Sequence, residues 1–240
     1  MSRGAKAVVA TLIALPMFVV LIALGVWQLQ RLDVKLQFIA QRERGFGAEP
    51  IELPARDGNL QGLAWRRVSV KGRFDHANEF HLWSLREGPG YEVLTPLVRT
   101  DSAAGQVVLV DRGWVPVERK QIATRAEGAP AGEVTLSGFV RIDLDARSAV
   151  TPTNEPDKNI WFTVDYAAMG NVSDLFLRPF VVVADATPNP GGLPIGTATP
   201  PAVPNRHLEY AITWFSLAAV FAFIYFLALR RQVATPRPSV

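Results

Sequence analysis

Two short runs of this chain gather side chains able to hold a ligand. GVWQLQRL, Gly25 to Leu32, carries Trp27, Gln28 and Arg31; NRHLEYAITWFSLA, Asn205 to Ala218, carries His207, Tyr210 and Trp214. Trp27 and Arg31 are four residues apart, and His207, Tyr210 and Trp214 follow at i, i+3 and i+7. Each set therefore shares one face if its segment is helical. An imidazole can ligate a metal, a guanidinium can fork onto a carboxylate, and indole and phenol rings can wall a flat apolar molecule. A plainer reading stands beside this one. Trp at a membrane boundary, a snorkelling Arg and a His bridging lipid and water are ordinary interfacial anchors. On spacing alone the plain reading is preferred for Trp27 and for His207. Gln28 resists it, because an amide at that depth requires a partner.

Both runs lie at the ends of uncharged stretches. Between Lys6 and Arg31 there are 24 positions without a charge, Ala7 to Gln30, and between Glu209 and Arg230 there are 20, Tyr210 to Leu229. At about 1.5 Å per residue these reach about 36 and 30 Å, enough for a hydrocarbon core of about 30 Å. Two membrane-spanning helices are expected, at 7–30 and 206–229, with Pro16 a tolerated kink in the first. The first run is longer than the core of a signal peptide and no small-x-small site follows Gly25, so an uncleaved anchor is expected. Asn205, after Pro204, suits the N-cap of the second helix. In an antiparallel pair, the His207 face and the Trp27, Gln28 and Arg31 face meet at the same membrane boundary. Such a pocket suits a flat, apolar ligand with an acidic edge. Haem fits, with imidazole as axial ligand, aromatic walls and Arg31 toward the propionates.

Composition narrows the alternatives. The absence of cysteine excludes disulfides, thiolate metal sites, iron–sulfur ligation and cysteine catalysis. A net charge of +3 gives no footprint for nucleic acid. No P-loop, Rossmann fingerprint, G-x-S-x-G or H-E-x-x-H occurs. The acidic residues are scattered, with no pair placed to serve as acid and base. His76 and His81, five apart, lack a third ligand and read as structural.

Between the spans, the apolar residues alternate in short Val-, Phe- and Trp-rich runs broken by Gly, Pro, Asn and Asp. Strands are expected around Val68, Val70 and Phe74 (with Gly72 as a bulge), and at Phe80–Trp83, Tyr91–Val98, Val107–Val110, Val134–Val140, Trp161–Val164 and Phe180–Val183. Gly88-Pro89-Gly90 suits a turn. Val115–Ala126 and Asp165–Met169 suit short helices. The first helix should continue through Leu32, Leu36 and Ile39 to about Arg44, where Gly45 and Gly47 end it. The expected fold is two transmembrane helices flanking a β-dominated (α+β) extramembrane domain, an antiparallel barrel or sandwich. The domain spans 45–186, a Pro- and Gly-rich linker 187–205, and tails lie at 1–6 and 230–240.

Four motifs, in order along the chain, resemble the surfeit locus protein one family of cytochrome c oxidase assembly factors. GVWQLQRLDVK (Gly25–Lys35) is similar to the family's first-helix signature, VLVDRGWVP (Val108–Pro116) to its central motif, NEPDKNIWFTVD (Asn154–Asp165) to its third, and NRHLEYAITWFSLA to its second-helix signature. Asp33-Val34 departs from the aromatic that more often precedes the lysine. The resemblance implies a non-enzymatic assembly factor, a chaperone that supplies or stabilises haem a, with His207 at the place of the family's proposed haem ligand. It implies as partners the oxidase catalytic subunit and the haem a synthesis machinery in the respiratory chain. A cofactor-free scaffold for assembling oxidase subunits is the alternative, and a quinone-binding redox protein a weaker third. Arg112-Gly113-Trp114 is read as a strand end packed on the core.

The tails are short and basic (Arg3, Lys6, Arg230, Arg231, Arg237), so the positive-inside rule puts them in the cytoplasm. Arg31, Lys35, Arg42 and Arg44 oppose this but belong to a segment too long for the rule to count. The expected setting is the bacterial inner membrane, with the domain in the periplasm, or the mitochondrial inner membrane with the domain in the intermembrane space. Topology reporters fused at Gly88 and after Val240 should therefore give opposite activities; equal activity at the two sites would remove the two-span arrangement.

Overall fold

The computed structural model describes residues 3–55, 60–102, 106–142, 144, 148–197, 199–200 and 202–234. Arg237 and the end of the second expected tail, with Met1 and Ser2 of the first, lie outside them. The chain divides into two compact units, 1–40 with 202–240, and 41–201.

The first unit holds two long apolar helices, α1 (Arg3–Gly47), whose last turns belong to the second unit, and α4 (His207–Ala234). Both are long and apolar enough to cross a membrane. Their contact seam repeats every seven residues. On α1 it runs Ala14, Phe18, Leu21, Gly25, Gln28, and on α4 His207, Ala211, Trp214, Ala218, Phe221, Tyr225, each buried or partly buried, with Ile22, Phe215 and Ala222 partly buried beside it. A strict seven-residue repeat is the signature of a shallow left-handed crossing. Small residues let the helices close. A Cβ on Gly25 would lie 2.6 Å from the Phe215 ring, and Ala211 and Ala218 are both buried.

The second unit contains β1 (Ile51–Glu52), α2 (Leu60–Leu63), β2 (Arg67–Phe74), β3 (Phe80–Ser84), β4 (Gly90–Arg99), β5 (Val107–Pro116), β6 (Glu133–Arg141), α3 (Tyr166–Ser173) and β7 (Leu177–Ala184). The strands form one sheet ordered β1-β2-β6-β7-β5-β4-β3, and β2 pairs additionally with β4. That extra pairing, Gly72–Phe74 with Leu97–Arg99, closes β2, β6, β7, β5 and β4 into a five-stranded barrel. β1 uses the other end of the same edge of β2, opposite Val68 and Ser69. The domain is the expected β-dominated one, but its sheet is mixed: β5 runs parallel to β7, and β1 to β2.

Closure sorts the side chains. Val68, Val70, Leu97, Val108, Val110, Val140, Phe180 and Val182, drawn from all five barrel strands, pack inside. The alternate residues Leu109, Phe139, Val181 and Val183 pack outside, beneath Trp65, Trp161 and Met169 of α3. The final turn of α1 joins this outer layer. Phe46 meets Phe139 edge-on at 5.5 Å, and Arg42 lies over Trp65 at 4.9 Å. Gly45 does not end α1; it stays helical, where a Cβ would press on the Trp65 backbone at 3.2 Å.

Three local expectations are corrected. Gly72 is no bulge: it pairs on both sides, with Arg99 and Val134, and a Cβ there would lie 2.4 Å from the Val98 carbonyl oxygen. The bulge falls in β5. Between the pairs Glu92–Trp114 and Leu94–Asp111, β5 carries one residue more than β4, so Arg112 and Gly113 oppose Val93 alone. Val115–Ala126 is not a helix. Its first two residues finish β5 and the rest makes two 3-10 turns, Val117–Arg119 and Ile122–Gly128. The Arg125 side chain donates to the carbonyls of Arg119 and Lys120, satisfying acceptors that a regular helix would use. Trp161–Val164 makes only a single bridge to Leu82, because the N–H groups of Phe162 and Thr163 are taken by Asn154 Oδ1 at 2.8 and 3.2 Å. The other expected helix forms as α3, capped by Asp165, whose Oδ1 accepts from Ala168 N at 2.9 Å.

The bulge is fastened to the linker. Trp114 and Ile195 exchange both backbone hydrogen bonds, at 2.9 and 2.8 Å. Gly113 has φ +118°, and a Cβ there would lie 2.0 Å from the Ile195 carbonyl oxygen. Gly113→Val should therefore lower stability by roughly 3 kcal/mol or more, combining left-handed strain and collision. Gly132→Ala, with open space around the new methyl, should stay within about 0.5 kcal/mol. Denaturant unfolding of both variants checks the contrast.

Candidate functional site

Asn205 begins the first cluster by accepting from His207 N–H with its side-chain oxygen at 3.4 Å. His207 opens α4, and its imidazole turns onto the seam with α1, where Nδ1 meets Gln28 Oε1 at 2.7 Å. An amide oxygen can only accept, so Nδ1 carries the proton and Nε2 keeps its lone pair. Gln28 is 9% exposed; the partner that its depth demands is this imidazole. One turn further on α1, the Arg31 guanidinium lies over the Trp27 ring at 5.6 Å. The seam thus brings Gln28 and His207 together, with Trp214 partly buried one heptad along. It passes through Ala211 rather than Tyr210, so Tyr210 stands off it, 52% exposed, as does Trp27, 46% exposed. At the far end of the pair Thr11 donates to Ala7 O at 2.9 Å, which leaves Tyr225 to donate to Thr11 across the seam at 2.5 Å.

A second cluster, not anticipated from the sequence, lies in the barrel unit. Glu79 accepts from Arg125, with Arg125 Nη1 at 3.2 Å from Oε2, and meets His81 Nε2 at 3.1 Å; all three are buried. Burial pushes the Glu79 carboxyl up, but the hydrogen bonds from His81 and Arg125 outweigh it and hold it below its ordinary value. Arg112 lies over the Phe74 ring at 4.6 Å, donates to Gly128 O, and is pulled down to about 10 by burial. On the other side of the bulge, Asp111 accepts from Gly113 N–H at 2.9 Å. Burial, with the charge of Glu92 adding to it, pushes its carboxyl up to about 8. The sequence signal was present in VVLVDRGWV: two charges inside a strand that is otherwise apolar on both faces.

His76 and His81 stay apart in role, His76 meeting Pro130 O through Nε2 at 3.0 Å. Among the described residues no three potential metal ligands of the His, Cys, Asp and Glu type come together. The third motif braces the barrel. Asn159 sits in the left-handed region at φ 49°, donates to Glu79 O at 2.6 Å and accepts from Trp161 Nε1 at 2.9 Å.

Two apolar helices of spanning length flank a closed β-barrel in the chain, with a buried amide–imidazole pair on the helix seam, which is the build of a membrane-anchored protein. The SURF1 family model matches residues 15–219, and this chain belongs to that family. It is 36% identical over 220 residues to human surfeit locus protein 1, covering 85% of this chain and 72% of that protein. To the mouse protein it is 35% identical over 225 residues, covering 87% and 72%. A SURF1-like protein of Rickettsia conorii is 31% identical over 225 residues, with 90% of both chains covered.

The Gln28 contact has a direct spectroscopic consequence. In Gln28→Leu the Nδ1 proton loses its acceptor, so the His207 tautomer should shift from Nδ1–H toward a mixture with Nε2–H. Nitrogen-15 NMR of His-labelled protein reads this; an unchanged tautomer would mean that Gln28 does not orient the ring.

Proposed function

We propose that this chain is a membrane-bound assembly factor for cytochrome c oxidase that binds haem a through His207 and holds or delivers it during maturation of the catalytic subunit. The observation that carries the reading is the Gln28–His207 hydrogen bond. A ligating histidine characteristically donates its other ring N–H to a fixed acceptor, which sets the tautomer and raises the basicity of the ligating nitrogen. Here Gln28 supplies that acceptor and Nε2 is the nitrogen left to ligate. Membership of the SURF1 family supports the oxidase as the client, since this is a family of cytochrome oxidase assembly factors. Arg31 is the partner for an acidic edge of the ligand. Trp27, Tyr210 and Trp214 are the aromatic side chains closest along the helices to contact its plane. The haem a synthesis machinery is the partner from which the cofactor would come. The setting is the inner membrane of a bacterium, barrel in the periplasm and tails in the cytoplasm. The role is binding and transfer, without catalysis.

Haem-to-protein ratio in detergent-purified protein from cells that make haem a tests the reading, with membrane levels matched by immunoblot. His207→Ala should lose most of the bound haem. Arg31→Ala should weaken it less, because a charge-assisted contact to a propionate is easier to replace than a coordinate bond. Full retention of haem in a normally accumulating His207→Ala protein would favour a cofactor-free scaffold for oxidase subunits.

A further inference from the structure

One end of the barrel holds a cleft of about 370 Å³, within the size range of small-molecule sites. Phe74 at the end of β2, Val134 and Leu136 near the start of β6, and Ala184 at the end of β7 form its apolar side. The same four residues pack against the interior core of the barrel, so the cleft opens from that core. Pro130 and linker residues 187–190, two of them proline, complete the wall. The mouth of a β-barrel is a common place for a ligand.

Two charged side chains line it, Arg112 from the β5 bulge and Asp185 just past β7. Arg112 is 2% exposed. Its Nη2 donates to two uncharged oxygens, the Gly128 carbonyl and Asn189 Oδ1, the latter at 3.2 Å, and its guanidinium lies over the Phe74 ring at 4.6 Å. Its Nη1 is buried with no hydrogen-bond partner among the described residues. The carboxylate whose charge Arg112 feels, Glu79, is already held by Arg125 and His81, and the charge of Arg125 acts on Arg112 in the opposite sense. We propose that this cleft binds a small apolar carboxylate, whose negative charge is taken by Arg112 and whose hydrocarbon part lies on Phe74, Val134 and Leu136.

The wall sets that chemistry. A guanidinium has donors only, and Arg112 stays charged at neutral pH although burial pulls it down to about 10. It makes no ion pair among the described residues, so a buried positive charge and a spare donor both await an acceptor. A carboxylate matches the planar fork of a guanidinium, and exclusion of water strengthens the pull. The apolar side of the cleft favours an acid that carries hydrocarbon over a bare inorganic ion, which would leave that surface against water. Asp185 works against an anion, but it is only partly buried, and solvent and salt screen its charge more than that of Arg112. One of its oxygens accepts from Thr187 N–H at 3.0 Å. It therefore weakens the site without reversing the sign of the ligand.

The test is calorimetric titration of the full-length protein in detergent, at neutral pH and low salt, with benzoate, its uncharged isostere benzamide and the cation benzylammonium. Benzoate should bind saturably and more tightly than either of the others. Asp185→Asn keeps an oxygen for the Thr187 N–H and removes the opposing charge, so benzoate should bind roughly two- to fivefold more tightly, with the gain fading as salt is raised. Arg112→Gln should lose roughly tenfold or more in benzoate affinity. If that buried substitution prevents folding, the Asp185→Asn comparison, at a partly exposed position, decides alone. Absence of saturable benzoate binding by the unmutated protein, equal or tighter binding of benzamide or benzylammonium, an unchanged benzoate affinity in Asp185→Asn, or full affinity in a folded Arg112→Gln protein would each overturn the proposal.

Discussion

Gly72 occupies the point on which the barrel unit depends. Two residues of β2, Gly72 and Arg73, are paired on both sides at once, to β6 and to β4, and that double pairing turns a sheet with two free edges into a tube. The approach of β4 leaves no room for a side chain at Gly72, where a Cβ would collide with the Val98 carbonyl. Closure buries both faces of several strands, inside by neighbouring strands and outside by α3, Trp65, Trp161 and the end of α1. That is why β5 reads Val107-Val108-Leu109-Val110, without the polar alternation of a strand wet on one face. It is also why the charges that follow, Asp111 and Arg112, are costly and must be held by particular partners. The bulge at Arg112 and Gly113 distributes them, one beside Glu92 and Arg86, the other beneath Phe74.

The helix unit answers to a different solvent. Between two apolar helices hydrophobic burial supplies little preference for one register over another, so small residues and polar pairs set it. Gly25, Ala211 and Ala218 permit close approach. Gln28 with His207, and Thr11 with Tyr225, fix the antiparallel register at two places about 25 Å of helix apart. The pair nearer the loops joins two groups with further bonding capacity. The pair nearer the tails joins two hydroxyls whose protons are both committed. This asymmetry leaves unused hydrogen-bonding capacity at one end of the seam, which is why the proposed ligand is assigned to that end.

Both spans, the β-rich middle, six of the strands and α3 were legible in the sequence, because uncharged runs of twenty or more and short alternating runs each have one economical solution. The Gln28–His207 meeting was also legible, as a statement that an amide at that depth wants a partner. The seam itself was misjudged by one residue: His207, Tyr210 and Trp214 lie within one helical face, but a seven-residue repeat selects Ala211 in place of Tyr210. Closure at Gly72 could not be read, since a glycine that avoids a neighbouring backbone and one that bulges look alike in sequence. Trp161–Val164 has the composition of a strand, and a single asparagine, Asn154, takes the donors it would have offered a neighbour. Asp111 forms no acid pair in the sequence, because its Glu92 neighbour comes from another strand.

The linker carries a mechanical consequence. Although about twenty residues separate β7 from α4, the chain is tied down along much of that distance, by the Trp114–Ile195 exchange and by Thr197 N–H to Ala184 O at 3.3 Å. The nine residues that separate Thr197 from His207 in the sequence span at most roughly 30 Å when fully drawn out. A pull on the chain from that end would meet the Thr197–Ala184 hydrogen bond first and the Ile195–Trp114 exchange after it. Between them lie the carbonyls of Ile195 and Gly196 that hold Arg86, and through Arg86 its ion pair with Glu92. The Arg86–Glu92 pair is thus held by the same stretch of chain that leads on to the second helix.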